Sequence, residues 1–374
     1  MSFTEKTKEI SNELDCHECG ALLKYAPVTP HLKCEYCGAA NEIKEAAKPA
    51  VVEEIDFEKF LNENSPSVEK QEVITVKCGN CGAASTLKPN ITSDSCPFCS
   101  SPIVVSSGTS CSLIKPKYLL PFKIEQKAAF AEFKKWVSSL WFAPNDLKKY
   151  VDNAEKLNGM YIPYWTYDSN TESDYTGQRG DNYTTTESYT TIENGKSVSR
   201  TRTVTKIRWS YASGHVYNKF DDVLILASNS LPENYTNALE PWDMENLTGF
   251  NEKFLSGFRT ESYQVDVKTG FEKAKVVMDN GIKTSIHQDI GGDHQRINSV
   301  DTRYNDISFK HILLPVWLSA YKYKEIVYRF MINGRTGEVQ GERPYSVIKI
   351  VLASLLGIAI GFGIYFGIVA LNEA

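Results

Sequence analysis

An α+β fold is predicted for this 374-residue chain by three observations. Cysteines recur as Cys-x-x-Cys pairs in two matching units, a strand–helix–strand pattern carrying Pro-x-Trp appears twice, and the chain closes on a long apolar run. Together they predict two small four-cysteine zinc ribbons, an internally duplicated α+β body and one C-terminal transmembrane helix. The expected division is 1–12 as a disordered N-terminus, 13–45 as the first ribbon, 46–72 as a linker, 73–106 as the second ribbon, 107–346 as the body and 350–371 as the membrane helix. At 42% hydrophobic and 23% charged the composition is otherwise that of globular domains, and a net charge of −5 supplies no global basic field for nucleic acid or anionic lipid.

All but one of the nine cysteines fall in the pairs Cys16/Cys19, Cys34/Cys37, Cys78/Cys81 and Cys96/Cys99, with equal spacing inside the two units. Two residues between cysteines let one tight turn aim both sulfurs at one ion. Gly20, Gly38 and Gly82 follow at the position where such a turn closes with positive φ. A short hairpin then brings the second turn opposite the first, so each unit predicts one Zn2+ held by four thiolates. Thioredoxin-like redox pairs would sit at the start of a helix in a βαβ setting, which is absent, and with a cytosolic body disulfides are disfavoured. No ligand position is left open, so both sites are structural. His17 and His31 are surplus, and Cys111 reads as an inert thiol.

Ribbons of this size have almost no core, so metal binding is expected to supply their folding energy and to leave hairpin faces for partners. Leu22, Leu23, Tyr25 and Tyr36 are the apolar candidates in the first ribbon, and Ile91, Pro97 and Phe98 in the second. The linker is rich in Glu, Lys, Ala and Pro and holds a single amphipathic turn or two at Ile55, Phe57, Phe60 and Leu61, so the ribbons are expected to move independently.

In the body, Phe122, Ile124, Glu125, Lys127 and Phe130 align without a gap on Tyr263, Val265, Asp266, Lys268 and Phe271, each stretch reading as a strand that leads into a helix. One face of the first helix carries Phe130, Phe133, Val137 and Leu140; the second carries Phe271, Ala274, Met278 and Ile282 behind a capping box from Thr269 to Glu272. Returning strands bear Pro163-Tyr164-Trp165 and Pro315-Val316-Trp317, which makes halves of about 116–170 and 255–346.

Between them a polar insert, 171–220, has a hairpin signal at Glu193-Asn194-Gly195-Lys196. Period two places Arg200, Arg202, Lys206 and Arg208 on one face and Thr201, Thr203 and Thr205 on the other. Neither face is apolar, so the arm is expected in solvent or laid on an acidic partner or anionic lipid; a solvated hairpin whose charges guard its edge is the reading favoured from sequence. Asp289, Asp293, His294, Asp301, Asp306 and His311 match no metal or hydrolytic motif, and the aspartates are expected where loops end strands, so no catalytic residue is assigned.

From Ile350 to Leu371 about 22 residues run without charge, Pro or Asn, the length that crosses a hydrocarbon core of ~30 Å. Lys349 and Arg343 precede the run, so by the positive-inside tendency the N-terminal bulk is expected in the cytoplasm and the protein is expected to be a single-pass, tail-anchored cell-membrane protein. Gly357/Gly361 and Gly363/Gly367 are small-xxx-small pairs on different sides of the helix, which leaves homo-oligomerisation open.

The ribbons, the stretch His311 to Trp317 with Tyr321 and Tyr323, Tyr328-Arg329-Phe330, and Asn333-Gly334 through to Pro344-Tyr345-Ser346 before the apolar tail resemble the bacterial YdjG-type zinc-ribbon membrane proteins. Members of that family are often labelled primosomal or helicase-related. The resemblance implies a non-enzymatic adaptor at the membrane, associated with a flotillin-like (SPFH-domain) protein and with PspA, a membrane-stress coat protein. Carried over by position are the eight zinc cysteines alone; Ser100 departs from the Gly of the other three turns.

The expectation is therefore an adaptor or scaffold that recruits partner proteins at the membrane. The alternatives are a replication-type nucleic-acid-binding ribbon protein, against which stand the acidic charge and the mixed charge around the first ribbon, and an enzyme using the His and Asp residues of 289–311 or Cys111.

Overall fold

The computed structural model describes residues 14–29, 31–43, 52–62, 69–79, 84–86, 93–96, 98, 102–104, 109–151, 157–193, 196–324 and 326–373. In chain order the first ribbon is β1 (Lys24–Tyr25), β2 (His31–Lys33) and β3 (Ala40–Glu42), followed by β4 (Ile55–Asp56) and α1 (Phe57–Asn62). Next come β5 (Lys70–Lys77), β6 (Ala84–Thr86), β7 (Ser93–Ser95), β8 (Pro102–Val104) and β9 (Thr109–Ile114). The body begins with β10 (Tyr118–Leu119), α2 (Gln126–Ser139), α3 (Leu147–Val151), β11 (Asn158–Glu193) and β12 (Lys196–Leu226). It continues through α4 (Glu233–Asn237), β13 (Thr248–Gly249), β14 (Arg259–Thr260), α5 (Val267–Ile290), β15 (His294–Tyr323), β16 (Ile326–Asn333) and β17 (Val339–Gly341), and α6 (Val347–Glu373) closes the chain.

The duplication is written in the hydrogen bonding. Strands β11 and β15 pair antiparallel at the centre, with Pro163 opposite Leu313 and Tyr161 opposite Pro315. On their outer edges β10 lies parallel to β15 (Tyr118 with Ile312) and β14 lies parallel to β11 (Arg259 with Met160). The displacement that carries Phe122 to Tyr263 also carries Tyr118 to Arg259 and the start of α2 at Gln126 to the start of α5 at Val267. Trp165 Nε1 donates to Val265 O at 2.8 Å, and its counterpart Trp317 Nε1 to Ile124 O at 2.9 Å. Ala227 O receives Gln264 N and Val265 N as Gly334 O receives Lys123 N and Ile124 N. A local two-fold relates two β-α-β-β halves, each tryptophan tying its strand to the turn that opens the other half's helix.

Alternation along the central strands separates two cores. Tyr161, Leu313, Trp317 and Tyr321 pack with Phe133 and Val137 of α2, while Trp165, Tyr167 and Phe309 pack with Phe271, Ala274 and Met278 of α5. The intervening residues Met160, Ile162, Tyr164, Ile312, Leu314 and Val316 face the opposite side, beneath Leu239, Trp242 and Leu247. Ribbon 1 joins the first cluster and the buried Cys78, Cys96 and Phe98 join the last, so the two ribbon segments sit on opposite faces of the sheet.

Several expectations are corrected. The segment expected as a free linker is docked: β4 pairs with Ser308 and Phe309 of β15, and Phe57 is buried in a ring cluster with Phe271 at 4.8 Å and Phe309 at 6.3 Å. Ribbon 1 is also docked, because Leu23, Tyr25 and Leu32 are buried against Phe254, Phe258 and Phe122. Tyr25 N donates to Ser256 O, and Ser256 Oγ donates to Leu23 O at 2.5 Å. Of its four apolar candidates only Leu22 and Tyr36 stay exposed. Phe98 of the second ribbon is buried, while Ile91 and Pro97 lie outside the described residues. Helix α5 starts before the expected capping box: Asp266 is its N-cap and accepts Thr269 N at 2.9 Å. The base of the polar arm is apolar after all on one side, since Ile282, Ile286 and Ile290 of the longer α5 cover Tyr175 and Val216. Asp301 and Asp306 do not end strands; His294–Tyr323 is one continuous strand.

Helix α6 includes the segment Val347–Ile368, 22 residues of mean hydropathy 2.4 with none of it buried in the body. It is long and apolar enough to cross a membrane.

Candidate metal centre

In ribbon 1 the backbone turns at Cys16-His17-Glu18-Cys19 and Cys34-Glu35-Tyr36-Cys37 are built alike. Gly20 N donates to Cys16 O at 2.8 Å and Gly38 N to Cys34 O at 3.0 Å, with φ of 70° and 78° at the two glycines. The expected role of these glycines is therefore met. The sulfurs of Cys16, Cys19, Cys34 and Cys37 all lie within 4.8 Å of one another, and Cys16–Cys37 and Cys19–Cys34 are each 3.5 Å apart. Four sulfurs about 2.3 Å from one zinc stand about 3.8 Å apart, so the cluster needs only tenths of an ångström of adjustment to hold the ion.

The backbone N–H of Cys37, with that of Tyr36, brings the Cys34 thiol down to about 6. Cys37, opposed by the Ala39 amide, is pushed up to about 12 by the sulfurs of Cys19 and Cys34. Four thiols this close cannot all ionise alone, and a divalent cation is what would let them. His17 and His31 are not part of the cluster.

The chain is similar to YdjG. Over 253 residues it is 28% identical to the protein of Bacillus subtilis (strain 168) described as "Uncharacterized protein YdjG", an overlap of 66% of this chain and 69% of that one. No family model and no solved structure matches. The likeness to YdjG is thus one of sequence, and the chemistry has to be read from the residues themselves.

In the second unit Cys78 and Cys96 are both buried, whereas Cys81, Cys99, Gly82 and Ser100 lie outside the described residues. Cys111 lies in β9 opposite Val73. The acidic and histidine residues of 289–311 are dispersed. Asp289 accepts from Tyr175 Oη at 2.5 Å, Asp293 from Asn182 N at 2.7 Å, Asp306 from Asn170 Nδ2 at 3.0 Å, and Asp301 stands opposite Asp174. His294 and His311 are at distant points of one strand, on the order of 50 Å apart at strand rise. His311 is buried with Nδ1 on Ile114 O, and burial lowers its imidazole to about 4.

Two polar clusters had no sequence signal, because their members are far apart in the chain. Lys310, buried, reaches Asp222 at 2.7 Å, Glu54 at 2.8 Å and Asp168 at 3.7 Å. Burial, with the neighbouring Glu54, raises Asp168 to about 7. Against the opposing effect of burial, hydrogen bonds from Asp168, Lys310 and Ser308 hold Glu54 down to about 2. The cluster pins the Glu54 segment to the sheet. In the second, Glu261 accepts from Ser228 at 2.8 Å, from Ser230, and from Gln264 at 2.9 Å through Oε1.

Beyond Asn182 and Ile207 the arm is covered by neither α5 nor β15, and among the described residues its strands pair only with each other out to Glu193 and Lys196. This tip extends roughly 40 Å at strand rise. Cross-strand register puts Tyr183, Glu187 and Tyr189 on the face of Arg200, Arg202, Lys206 and Arg208. Arg208 lies over Tyr183 at 5.0 Å and Arg202 over Tyr189 at 5.8 Å, while Glu187 meets Lys206 at 2.7 Å and Arg202 at 3.5 Å. The opposite face is mostly serine and threonine, with Ile192 and Ile207 exposed.

Proposed function

We propose that the protein is a non-enzymatic adaptor held at the cytoplasmic side of the cell membrane by α6, which recruits or scaffolds other membrane-associated proteins. The observation that carries the reading is the tip of the β11–β12 arm: a long two-stranded ribbon with an aromatic and basic face, standing clear of the body that bears it. Such a face fits an acidic protein surface, with tyrosine supplying contact area at little entropic cost and the arginines supplying bidentate bonds. Arg343 just before α6 and Lys349 in its first turn favour a cytoplasmic body. Both zinc sites, Cys16/Cys19/Cys34/Cys37 and Cys78/Cys81/Cys96/Cys99, would act as closed structural clamps that hold the two ribbons on the body. Confinement by the anchor raises the effective concentration of any partner on the same membrane. A flotillin-like protein and a PspA-type coat protein are the partner classes that the family resemblance supports.

The test is affinity capture from detergent-solubilised membranes by the full chain and by a variant in which residues 184–205 are replaced by Asn-Gly, a turn that suits the flanking pair Tyr183 and Lys206, which has the same cross-strand parity as Glu193 and Lys196 at the native turn. Capture of flotillin-like or PspA-type proteins by the full chain and its loss on shortening support the proposal. Equal capture by both removes the arm from it. Recovery of nucleic acid alone, with steep salt dependence, would sink the adaptor reading in favour of a nucleic-acid-binding one.

A further inference from the structure

The loop between α2 and α3 contrasts two kinds of residue. Leu140, Ala143 and Leu147 point inward and are buried, which fixes the backbone, whereas Trp141 between them is 77% exposed and Phe142 is 37% exposed. A tryptophan turned outward on a rigid loop has no place in the body's own core, since its neighbours already fill it. The loop is bonded directly to the entry of α6. Ser346 N donates to Phe142 O at 2.7 Å, and Lys349 Nζ donates to Trp141 O at 3.1 Å and to Ala143 O at 2.8 Å. Trp141 and Phe142 therefore stand level with the first turn of α6, where Val347 and Ile348 are also exposed.

Around them are the groups that a headgroup layer accepts. Tyr345 is exposed with Arg343 stacked over its ring at 5.2 Å, and α3 carries the exposed Lys148 and Lys149. Amphipathic rings collect at the membrane–water boundary, and cations beside them meet lipid phosphates. We infer that the Trp141–Phe142 loop is inserted in the interfacial layer of the bilayer that receives α6, giving the body a second point of contact with lipid. This rests on α6 being a membrane span. Two contacts joined by three hydrogen bonds, instead of one swivelling helix, set which side of the body faces the lipid: the end where α2 gives way to α3 lies on the membrane.

The full chain is reconstituted into phosphatidylethanolamine–phosphatidylglycerol vesicles with and without bromine near the carbonyl end of the acyl chains, beside Trp141→Ala. Flotation with the vesicles and the tryptophan emission of each protein are measured. Both proteins should float. Brominated lipid should quench part of the wild-type emission, that part should resist aqueous iodide, and it should be missing in Trp141→Ala. If both float and are quenched equally, or if the Trp141 component is reached by iodide and not by bromine, the loop is in water and the inference fails while the anchor stands. Failure of both to float would overturn the anchor and the inference together.

Discussion

At the scale of single residues the most informative group is Glu261. It is 2% exposed, its Oε1 takes three hydrogen bonds and its Oε2 is buried without a partner. Burial pushes its carboxyl up from 4.5 to about 7 against the opposing pull of Ser230, Ser228 and Gln264. Between those two pH values the folded chain keeps a proton that the unfolded chain has released, so this group's contribution to stability falls as pH rises. Glu261→Gln carries no such proton. Its stability relative to wild type should rise by on the order of 3 kcal/mol from below pH 4.5 to above pH 7, read as a growing gap in Tm, and a gap independent of pH would refute the assignment. His311, lowered by burial to about 4, has the opposite slope, but it is common to both proteins and cancels from the comparison.

At the scale of elements the two helices differ at one matched position. Gly270 of α5 takes the place that Ala129 has in α2. A Cβ on Gly270 would come 2.3 Å from Tyr167 Oη and 3.0 Å from Trp165 Cδ1. Tyr167 cannot simply swing away, because its hydroxyl donates to Val267 O at 2.6 Å and its ring packs on Phe271 at 5.5 Å. Gly270→Ala is expected to destabilise the body by about 1–3 kcal/mol through overpacking, although alanine is the better helix former. Chemical denaturation should show this loss; a more stable variant would mean that α5 can lift from the sheet. The amphipathic faces of α2 and α5 were legible from spacing. The length of α5 and its cover over Tyr175 and Val216 were not, because the polar sequence of the arm conceals which short stretch lies under a helix.

At the scale of the whole molecule the docking of ribbon 1 links metal to architecture. Burying Leu23 and Leu32 is worth about 1.5–3 kcal/mol each, yet the hairpin that presents them has little else to hold its shape if the four sulfurs lose a common ion. Removing zinc with a chelator should abolish hydrogen-exchange protection at Leu23, Tyr25 and Leu32 while β11 and β15 keep theirs. Unchanged protection after verified zinc loss would show that the body alone holds the ribbon.

The sequence by itself determined the features that local chemistry dictates. Cys-x-x-Cys turns ending in Gly20 and Gly38 close only one way, a long apolar run has one helical solution, and Pro-x-Trp strands after matching helices mark a repeat. Only the tertiary structure decided that the halves pair through β11 and β15, that Glu54 and Phe57 dock on the sheet, that the ribbons lie on opposite faces, and that Trp141 stands beside the root of α6. Those arrangements come from contacts between residues far apart in the chain. Their energies depend on shape and mutual burial, and neither periodicity nor spacing records them.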